Sequence, residues 1–264
     1  MNIEVVCSTV NQKNINFYRK LNIKTDALIV NQCGYNKYEE IVENGKKIRM
    51  INTDTKGSGT SRNIGLLNSK ADIIVLCDDD EVFEDDYKEK IENSFKKNPD
   101  VDFFVFKTEI YNSGKKTIKV KEEKNLKVFN ALRYGSVHFV FKREEIEKRN
   151  IHFSTYFGAG SKNGSGEDTL FLKDAIDKKL KVRTNTNLIA KVYNDSSTWF
   201  KEYDEKFFYD KGKLSVALFN KGYRLYIEQF LFRHKEMLEK VSKKEAKKYM
   251  LKGAKDYIER KKYE

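Results

Sequence analysis

Four acidic residues in a row follow five apolar ones in Asp72-Ile-Ile-Val-Leu-Cys-Asp78-Asp79-Asp80-Glu81. The run Ile73 to Cys77 has the length of a buried strand, so its carboxyl end receives several carboxylates at once. Crowded anions repel one another unless a cation neutralises them. A hard divalent cation with oxygen ligands, Mg²⁺ or Mn²⁺, suits such a set and is usually shared with substrate phosphates. The structural alternative is a solvated strand-to-helix turn in which Asp80 or Glu84 caps the next helix. Upstream, Lys56-Gly-Ser-Gly-Thr-Ser-Arg62-Asn63-Ile-Gly65 is a glycine-rich turn that enters a helix. Backbone amides at a helix start bind phosphate, and Arg62 can pair with it bidentately. The spacing fits neither a P-loop nor a strand-adjacent GxGxxG motif, and an ordinary capped helix is the alternative. Downstream, Gly164-Ser165-Gly166-Glu167-Asp168 opens another helix with two carboxylates, which the helix dipole keeps ionised. A general base must be ionised and within about 3 Å of its proton, so Glu167 and Asp168 are candidates, with simple helix capping as the alternative.

The elements that must position these groups alternate. Ile3 to Cys7, Ala27 to Val30, Lys47 to Ile51, Ile73 to Cys77 and Val101 to Phe106 read as strands, with helices over Asn11 to Leu21, Ser58 to Ser69 and Asp85 to Lys97, the last stopped by Pro99. This alternation predicts an α/β fold with a mostly parallel sheet, helices on both faces, and ligands at the carboxyl ends of the strands. Asn112-Ser113-Gly114 reads as a hairpin turn between Lys107 to Tyr111 and Lys116 to Val120, and Val137 to Phe141 as a further strand. Residues 154–166, with four glycines, read as a flexible loop, followed by a helix over Glu167 to Lys178, a strand over Leu188 to Tyr193 and aromatic-rich helices from Trp199 onward. The expected organisation is a catalytic domain over 1–200, split into halves at 106/107, and a helical, basic extension over 201–264.

Composition narrows the field. The chain has 264 residues, 39% hydrophobic and 35% charged, with 14 Gly and 1 Pro, which excludes collagen and most disorder. No apolar run approaches the roughly 18 residues of a membrane span. The start, MNIEVVCSTV, lacks the pattern of a cleavable signal, so a cytoplasmic protein is expected. Cys7, Cys33 and Cys77 show no metal-type spacing and read as reduced core residues. Of the net charge of +12, residues 233–264 carry an excess of six, with twelve Lys and Arg against six Asp and Glu. That tail reads as an amphipathic basic helix or helix pair, either packed on the domain or resting on an anionic membrane face. No nucleic-acid partner is expected, because acidic crevices repel phosphodiester backbones.

Taken together, SGTSRNIGL, IIVLCDDDEVF and GSGEDTLFL resemble the inverting family-two glycosyltransferases of the GT-A fold, over about residues 2 to 200. The segments Ser197-Thr-Trp-Phe200 and Lys206-Phe-Phe-Tyr-Asp-Lys-Gly212 resemble members that build capsule and other surface polysaccharides. The resemblance implies a nucleotide-sugar donor, by default a UDP-sugar, and a glycan or lipid-linked acceptor. It places Thr9 beside the nucleobase, Asp78 near the ribose and Asp80 on the metal, with Asp79 between Asp78 and Asp80 and with Asp78 sharing the metal role. Lys56, Arg62 and Asn63 fall on the donor side near the diphosphate. Asp168 becomes the base with Glu167 as neighbour or substitute, and Gly166 and Trp199 fall on the acceptor side. The second strand ends in Val30-Asn31-Gln32, so amides take the place of the usual acidic base reader, and Asn194 or Asp195 stands where relatives often have a metal-binding His. His138, His152 and His234 read as surface or core residues. The implied activity is metal-dependent inverting sugar transfer. The alternatives are a metal-dependent nucleotidyltransferase or phosphohydrolase, or a nucleic-acid-binding protein that is not an enzyme.

Overall fold

A computed structural model describes residues 1–193 and 202–262. These divide into two compact units, one of residues 1–155 and 167–193, the other of residues 156–166 and 202–262. The glycine loop thus groups with the C-terminal helices.

The first unit holds β1 (Ile3–Val10), a 3-10 helix (Ile15–Leu21), β2 (Asp26–Gln32), β3 (Lys37–Glu43), β4 (Lys46–Thr53), α1 (Ser58–Asn68), β5 (Ile73–Asp78), β6 (Glu81–Phe83) and α2 (Tyr87–Lys97). There follow β7 (Phe103–Asn112), β8 (Lys115–Thr117), α3 (Val128–Ala131), a 3-10 turn (Ser136–His138), β9 (Phe139–Lys142), α4 (Arg143–Lys148), α5 (Glu167–Asp177) and β10 (Val182–Tyr193). The strands form one sheet in the order β3-β4-β2-β1-β5-β9-β7-β10-β6, with β8 paired to β7. Strands β4, β2, β1 and β5 run parallel, as do β7 and β10. Strands β3, β6, β8 and β9 pair antiparallel with their neighbours. The sheet is therefore mixed rather than mostly parallel, because β9 wedges between β5 and β7 against their direction. The order reverses at β1, whose neighbours are β2 and β5, and such a switch point is where open α/β sheets bind ligands.

Period-two alternation sorts the side chains onto two faces. Val5, Cys7, Ile73, Val75 and Cys77 enter one core with Tyr18, Leu21, Ile91 and Phe95, while Val6, Ile74, Leu76 and Phe103 enter the other with Leu66, Phe171 and Leu172. Both faces are covered, so the strands read as continuous apolar runs. Strand β3 escaped the sequence reading because Lys37-Tyr-Glu-Glu-Ile-Val-Glu43 is a charged, mostly exposed edge strand. Of the segment expected to be helical over 11–21, only Ile15–Leu21 is, as a 3-10 helix capped by Asn14 and stopped by Asn22 at φ 55°. The predicted hairpin is present, with Ser113 and Gly114 both in the left-handed region at φ 48° and 76°. Cys7 and Cys77 are buried and free as expected, but Cys33 is only half-buried. His152 is exposed, whereas His138 is a core residue whose Nδ1 bonds the Phe106 carbonyl at 2.9 Å. Burial pulls the His138 pKa down to about 3, so the ring is neutral.

The second unit holds α6 (Glu205–Phe219), α7 (Tyr223–Arg233) and α8 (Lys243–Arg260). Helices α6 and α8 cross where neither tolerates a side chain: a Cβ on Gly212 would lie 1.9 Å from the Met250 oxygen, and one on Gly253 would lie 2.0 Å from that of Tyr209. The basic tail is thus a helix with a buried stripe of Ala246, Met250, Gly253 and Ala254, opened by a Ser242/Glu245 capping box. Residues 156–166 are anchored rather than slack. Asn163 is buried, donates to the Tyr156 carbonyl at 2.9 Å, and accepts from Lys213 Nζ at 2.8 Å. Among the described residues no helix is long and apolar enough to cross a membrane.

Candidate active site

The apolar run Ile73–Cys77 buries β5 and delivers Asp78 to its carboxyl end; Asp79 and Asp80 then form the turn into β6. One helical turn into α1, Arg62 is buried, with its guanidinium carbon over the Phe153 ring at 5.5 Å. The apolar face of α5, Phe171, Leu172 and Ala175, packs into the core and presents Glu167 and Asp168 at the helix start. These three elements converge on one guanidinium. Arg62 Nη2 bonds Asp78 Oδ1 at 2.9 Å and Ser136 Oγ at 2.8 Å. Its Nη1 bonds Glu167 Oε1 and Asp168 Oδ1, both at 2.9 Å. The Ser136 amide donates to Asp168 Oδ2 at 3.0 Å, and Ser58 Oγ donates to Glu167 Oε1 at 2.6 Å.

Electrostatics follow from one cation among three carboxylates. Burial alone would lower the Arg62 pKa, but the charges of Asp168, Asp78 and Glu167 outweigh it and hold the guanidinium firmly charged. Asp168 is pushed up to about 6, first by burial and then by Glu167 and Asp78, against the pull of Arg62 and the Ser136 amide. Its side chain keeps 24% exposure against 9% for Glu167. A carboxyl that ionises just below neutrality and remains reachable suits proton abstraction.

The acidic turn has a different character. Asp79 Oδ2 accepts from Thr9 Oγ1 at 2.6 Å. Among the described residues Asp80 Oδ1 is buried with no partner, and burial together with Asp78 and Asp79 pushes the Asp80 carboxyl up to about 7. An orphaned carboxylate oxygen beside two further carboxylates fits a hard divalent cation. Among the described residues no three His, Cys, Asp or Glu side chains surround a common point as a finished cage. Glu81, which sequence reasoning left as a bystander, is fully buried by β6 and β10 and accepts from the Asp78 amide at 3.4 Å. Burial and Asp78 push its carboxyl well above the ordinary range. If Asp80 is a cation ligand, Asp80→Asn removes an ionised form that the metal-free fold disfavours. The variant should melt roughly 2–4 °C higher at pH 8 in chelator, an advantage that fades toward pH 4, and should lose the thermal shift on adding Mn²⁺. Differential scanning fluorimetry decides it, and an undiminished Mn²⁺ shift removes Asp80 from the ligand set.

The remaining predicted residues fall around this centre in different ways. Thr9 also accepts from Gln12 Nε2 at 3.0 Å, and Gln12 exchanges hydrogen bonds with Asn31, whose amide donates to Asn52 Oδ1 at 2.7 Å. Asn31 is thus buried and fully engaged, while Gln32 Nε2 reaches the Gly57 carbonyl at 3.2 Å. Lys56 is exposed. Asn63 clamps the Phe153 backbone through both amide atoms at 2.8 Å. Gly59, in the first turn of α1, packs so that a Cβ would lie 2.1 Å from the Ser154 oxygen, so this glycine serves close packing. In the second unit, Gly166 has φ +123° and a Cβ there would press on Leu214 at 2.6 Å. Asn194, Asp195 and Trp199 lie outside the described residues. Ser136, Gln12 and Asn52 were not anticipated; the pair Gly135-Ser136 just before a strand was the one available hint.

Comparison with known proteins bears on the family and the fold. The family model described as Glycosyl transferase family 2 matches residues 5–164. Among solved structures, the chain is similar to S. aureus TarS 1–349 in complex with UDP-GlcNAc, with a TM-score of 0.68 and 16% identity over 98% of this chain and 81% of that one. The same fragment in complex with UDP gives 0.62 and 16%, over 89% and 72% of the two chains. S. aureus TarS gives 0.64 and 14%, over 98% and 49%. At such identities the likeness is one of fold. No curated protein sequence matches the chain. The family match spans more than half of the chain and takes in β1, α1 and the acidic end of β5, and with the shared fold it identifies the chain as a glycosyltransferase of family 2 with the GT-A fold.

Proposed function

We propose that the chain transfers a sugar from a UDP-sugar to a hydroxyl of a glycan or lipid-linked acceptor, with inversion, in the assembly of a surface polysaccharide such as capsule. The observation that carries this reading is the Arg62 guanidinium, which ties Asp78 of the acidic turn to Asp168 of the carboxyl pair within hydrogen-bond distance of both. The similar TarS fragment is in complex with UDP-GlcNAc or UDP, which supports a uridine nucleotide here. Asp80 and Asp78, with Asn194 or Asp195, are the residues that would hold Mn²⁺ or Mg²⁺, which supplies charge neutralisation for a departing diphosphate. Arg62 sits too deep to lead in phosphate recognition and acts first as the counter-ion of the acidic cluster. Asp168 takes the acceptor's hydroxyl proton, that oxygen bonds to the anomeric carbon, and the nucleoside diphosphate leaves with the electron pair from the opposite face. Gln12, Gln32 and Thr9, at the ends of β1 and β2, border the nucleobase side. Release of nucleoside diphosphate from a panel of UDP-, GDP- and dTDP-sugars, with and without Mn²⁺, tests the reading. Release from none of them, with any acceptor extract, refutes it.

A place at the cytoplasmic membrane face is part of the proposal, and the surface of the second unit supports it. Helix α7 exposes Leu225 and Phe232 on one side, two turns apart, and Glu228 between them pairs with Lys247 of α8 at 2.5 Å. Exposed Lys244, Lys248 and Lys252 follow at four-residue spacing. An exposed apolar side on α7 and a row of exposed lysines on α8 suit an anionic bilayer surface. The full chain should pellet with anionic vesicles at low salt, weakly at 1 M where the Debye length is about 3 Å, and not with neutral ones. Leu225→Ser/Phe232→Ser should reduce pelleting; equal pelleting with neutral vesicles sinks the idea.

A further inference from the structure

Away from the Arg62 centre, two tyrosines stack at the carboxyl ends of β7 and β10. Tyr111 and Tyr193 are register partners in that parallel pair, so their side chains share a face, and their rings lie 5.5 Å apart at an interplanar angle of 14°. Lys116, the register partner of Tyr111 on β8, lies over the Tyr111 ring at 5.9 Å. A cation and a stacked ring cannot share one face, so Lys116 and Tyr193 cover opposite faces of Tyr111. The Tyr111 hydroxyl is fixed as well, donating to Glu109 Oε2 at 2.8 Å. Tyr193 is the outer ring and keeps 46% exposure. Among the described residues its hydroxyl has no hydrogen-bond partner.

This platform adjoins the acidic turn. Strand β10 pairs with β6 through Val192 and Glu81, and the next hydrogen bond of that ladder runs from the Tyr193 amide to the Asp80 carbonyl at 2.8 Å. The charges on the flank are taken up by one another: Lys116 pairs with Glu109 at 2.5 Å, and Lys191 with Glu84 at 2.9 Å. That balance sorts the ligands. An anionic group finds no unpaired cation among these four charges, and a protein or bilayer face needs an apolar patch far wider than one ring. A neutral ring with a flat C–H face and hydroxyls at its rim fits both features, because its C–H groups meet the electron-rich face of Tyr193 and its rim meets the free phenol. A pyranose has that form.

The donor and the acceptor of a glycosyltransferase both carry sugar rings. The reacting centre has to be shielded from water, whereas Tyr193 is nearly half exposed, as suits a subsite over which a longer chain passes. Resting on the proposed transferase reading, we propose that Tyr193, backed by Tyr111, is a stacking platform for a neutral pyranose of the acceptor glycan, at least one sugar away from the hydroxyl that reacts. The platform retains the chain, and proton transfer stays with Asp168.

The test uses the full chain without donor and three neutral probes, cellotetraose, chitotetraose and maltotetraose, followed by saturation-transfer NMR. At least one should bind, with saturation strongest on the protons of one ring face. Tyr193→Ala should weaken that binding about two- to tenfold, the span expected for a lost aromatic contact. Tyr193→Phe should retain most of it, and Tyr193→Leu, apolar but not flat, should behave like the Ala variant. With a donor identified by nucleotide release, Tyr193→Ala should raise the KM for the bound tetrasaccharide as acceptor. The donor KM should hold, as should the KM for an octyl monoglycoside too short to reach the platform. Binding of none of the probes, undiminished binding by Tyr193→Ala, or a Leu variant as good as the Phe variant overturns the proposal. A raised donor KM with an unchanged acceptor KM also overturns it, by giving the ring to the donor sugar. Tetrasaccharide binding lost in Tyr193→Ala, with no nucleotide release from any donor, would instead keep the sugar platform and refute the transferase reading.

Discussion

Asp168→Asn is expected to lower turnover by about 10²-fold or more while leaving donor affinity intact, because a lost general base affects the proton transfer and not the nucleotide. The pH profile identifies the group more surely than the rate. Asp168 carries a carboxyl raised to about 6, so its active, ionised form is present above that value and is lost as pH falls through it. Wild-type kcat should therefore decline tenfold per unit on the acid side below about 6, and that limb should vanish in the Asn variant. Glu167→Gln supplies the control. The Glu167 charge raises the Asp168 pKa, so its removal should move the acid limb to lower pH rather than abolish it. The variant also loses the negative partner of Arg62 and Ser58, and its stability should be measured alongside. An acid limb that persists in Asp168→Asn but disappears in Glu167→Gln would reverse the two roles.

The sequence made the fold legible where local pattern and burial agree. Ile3 to Cys7 and Ile73 to Cys77 are apolar on both faces because helices cover both, and their carboxyl ends do hold Thr9 and Asp78. It failed where long-range pairing decides. Strand β9 inserts antiparallel between β5 and β7, and nothing local to Phe139–Lys142 announces its direction. Glu81 reads as one more acid in a run, yet the pairing of β6 with β10 buries it completely. The site shows the same division. The residue types were evident, but Arg62 read as a phosphate ligand because its partners lie 16, 105 and 106 positions away and come together only in the fold. Ser136 acts on Asp168 through a backbone amide, which has no signature in a side-chain alphabet. The glycines at 59 and 135 likewise acquire meaning from atoms across the fold, the Ser154 carbonyl and the Asp168 carboxylate.

Arg62→Met should be the most destabilising single change at this site. The substitution removes the guanidinium that lies over Phe153 and leaves Asp78, Glu167 and Asp168 without their shared counter-ion, and breaking a buried pair from one side costs about 3–5 kcal/mol. The deficit has a sign in pH. Without the guanidinium the folded-state pKa of Asp168 rises further, so the variant's stability is retained where that carboxyl is protonated and is lost as pH rises through it. Urea unfolding should show the gap from wild type widest near pH 8 and narrowing toward pH 5. Arg62→Lys should recover part of it, since a single ammonium restores charge but lacks the planar fork that reaches Asp78 and Asp168 together. Whatever folded Arg62→Met can be assayed should also show its acid limb displaced above pH 6, because Arg62 is what holds Asp168 down. Wild-type stability at pH 8 together with an unmoved limb would mean that the guanidinium is not the counter-ion of the cluster, and the coupling of the acidic turn to the base would have to run through Ser136 instead, whose hydroxyl already reaches Asp78 Oδ2 at 3.5 Å.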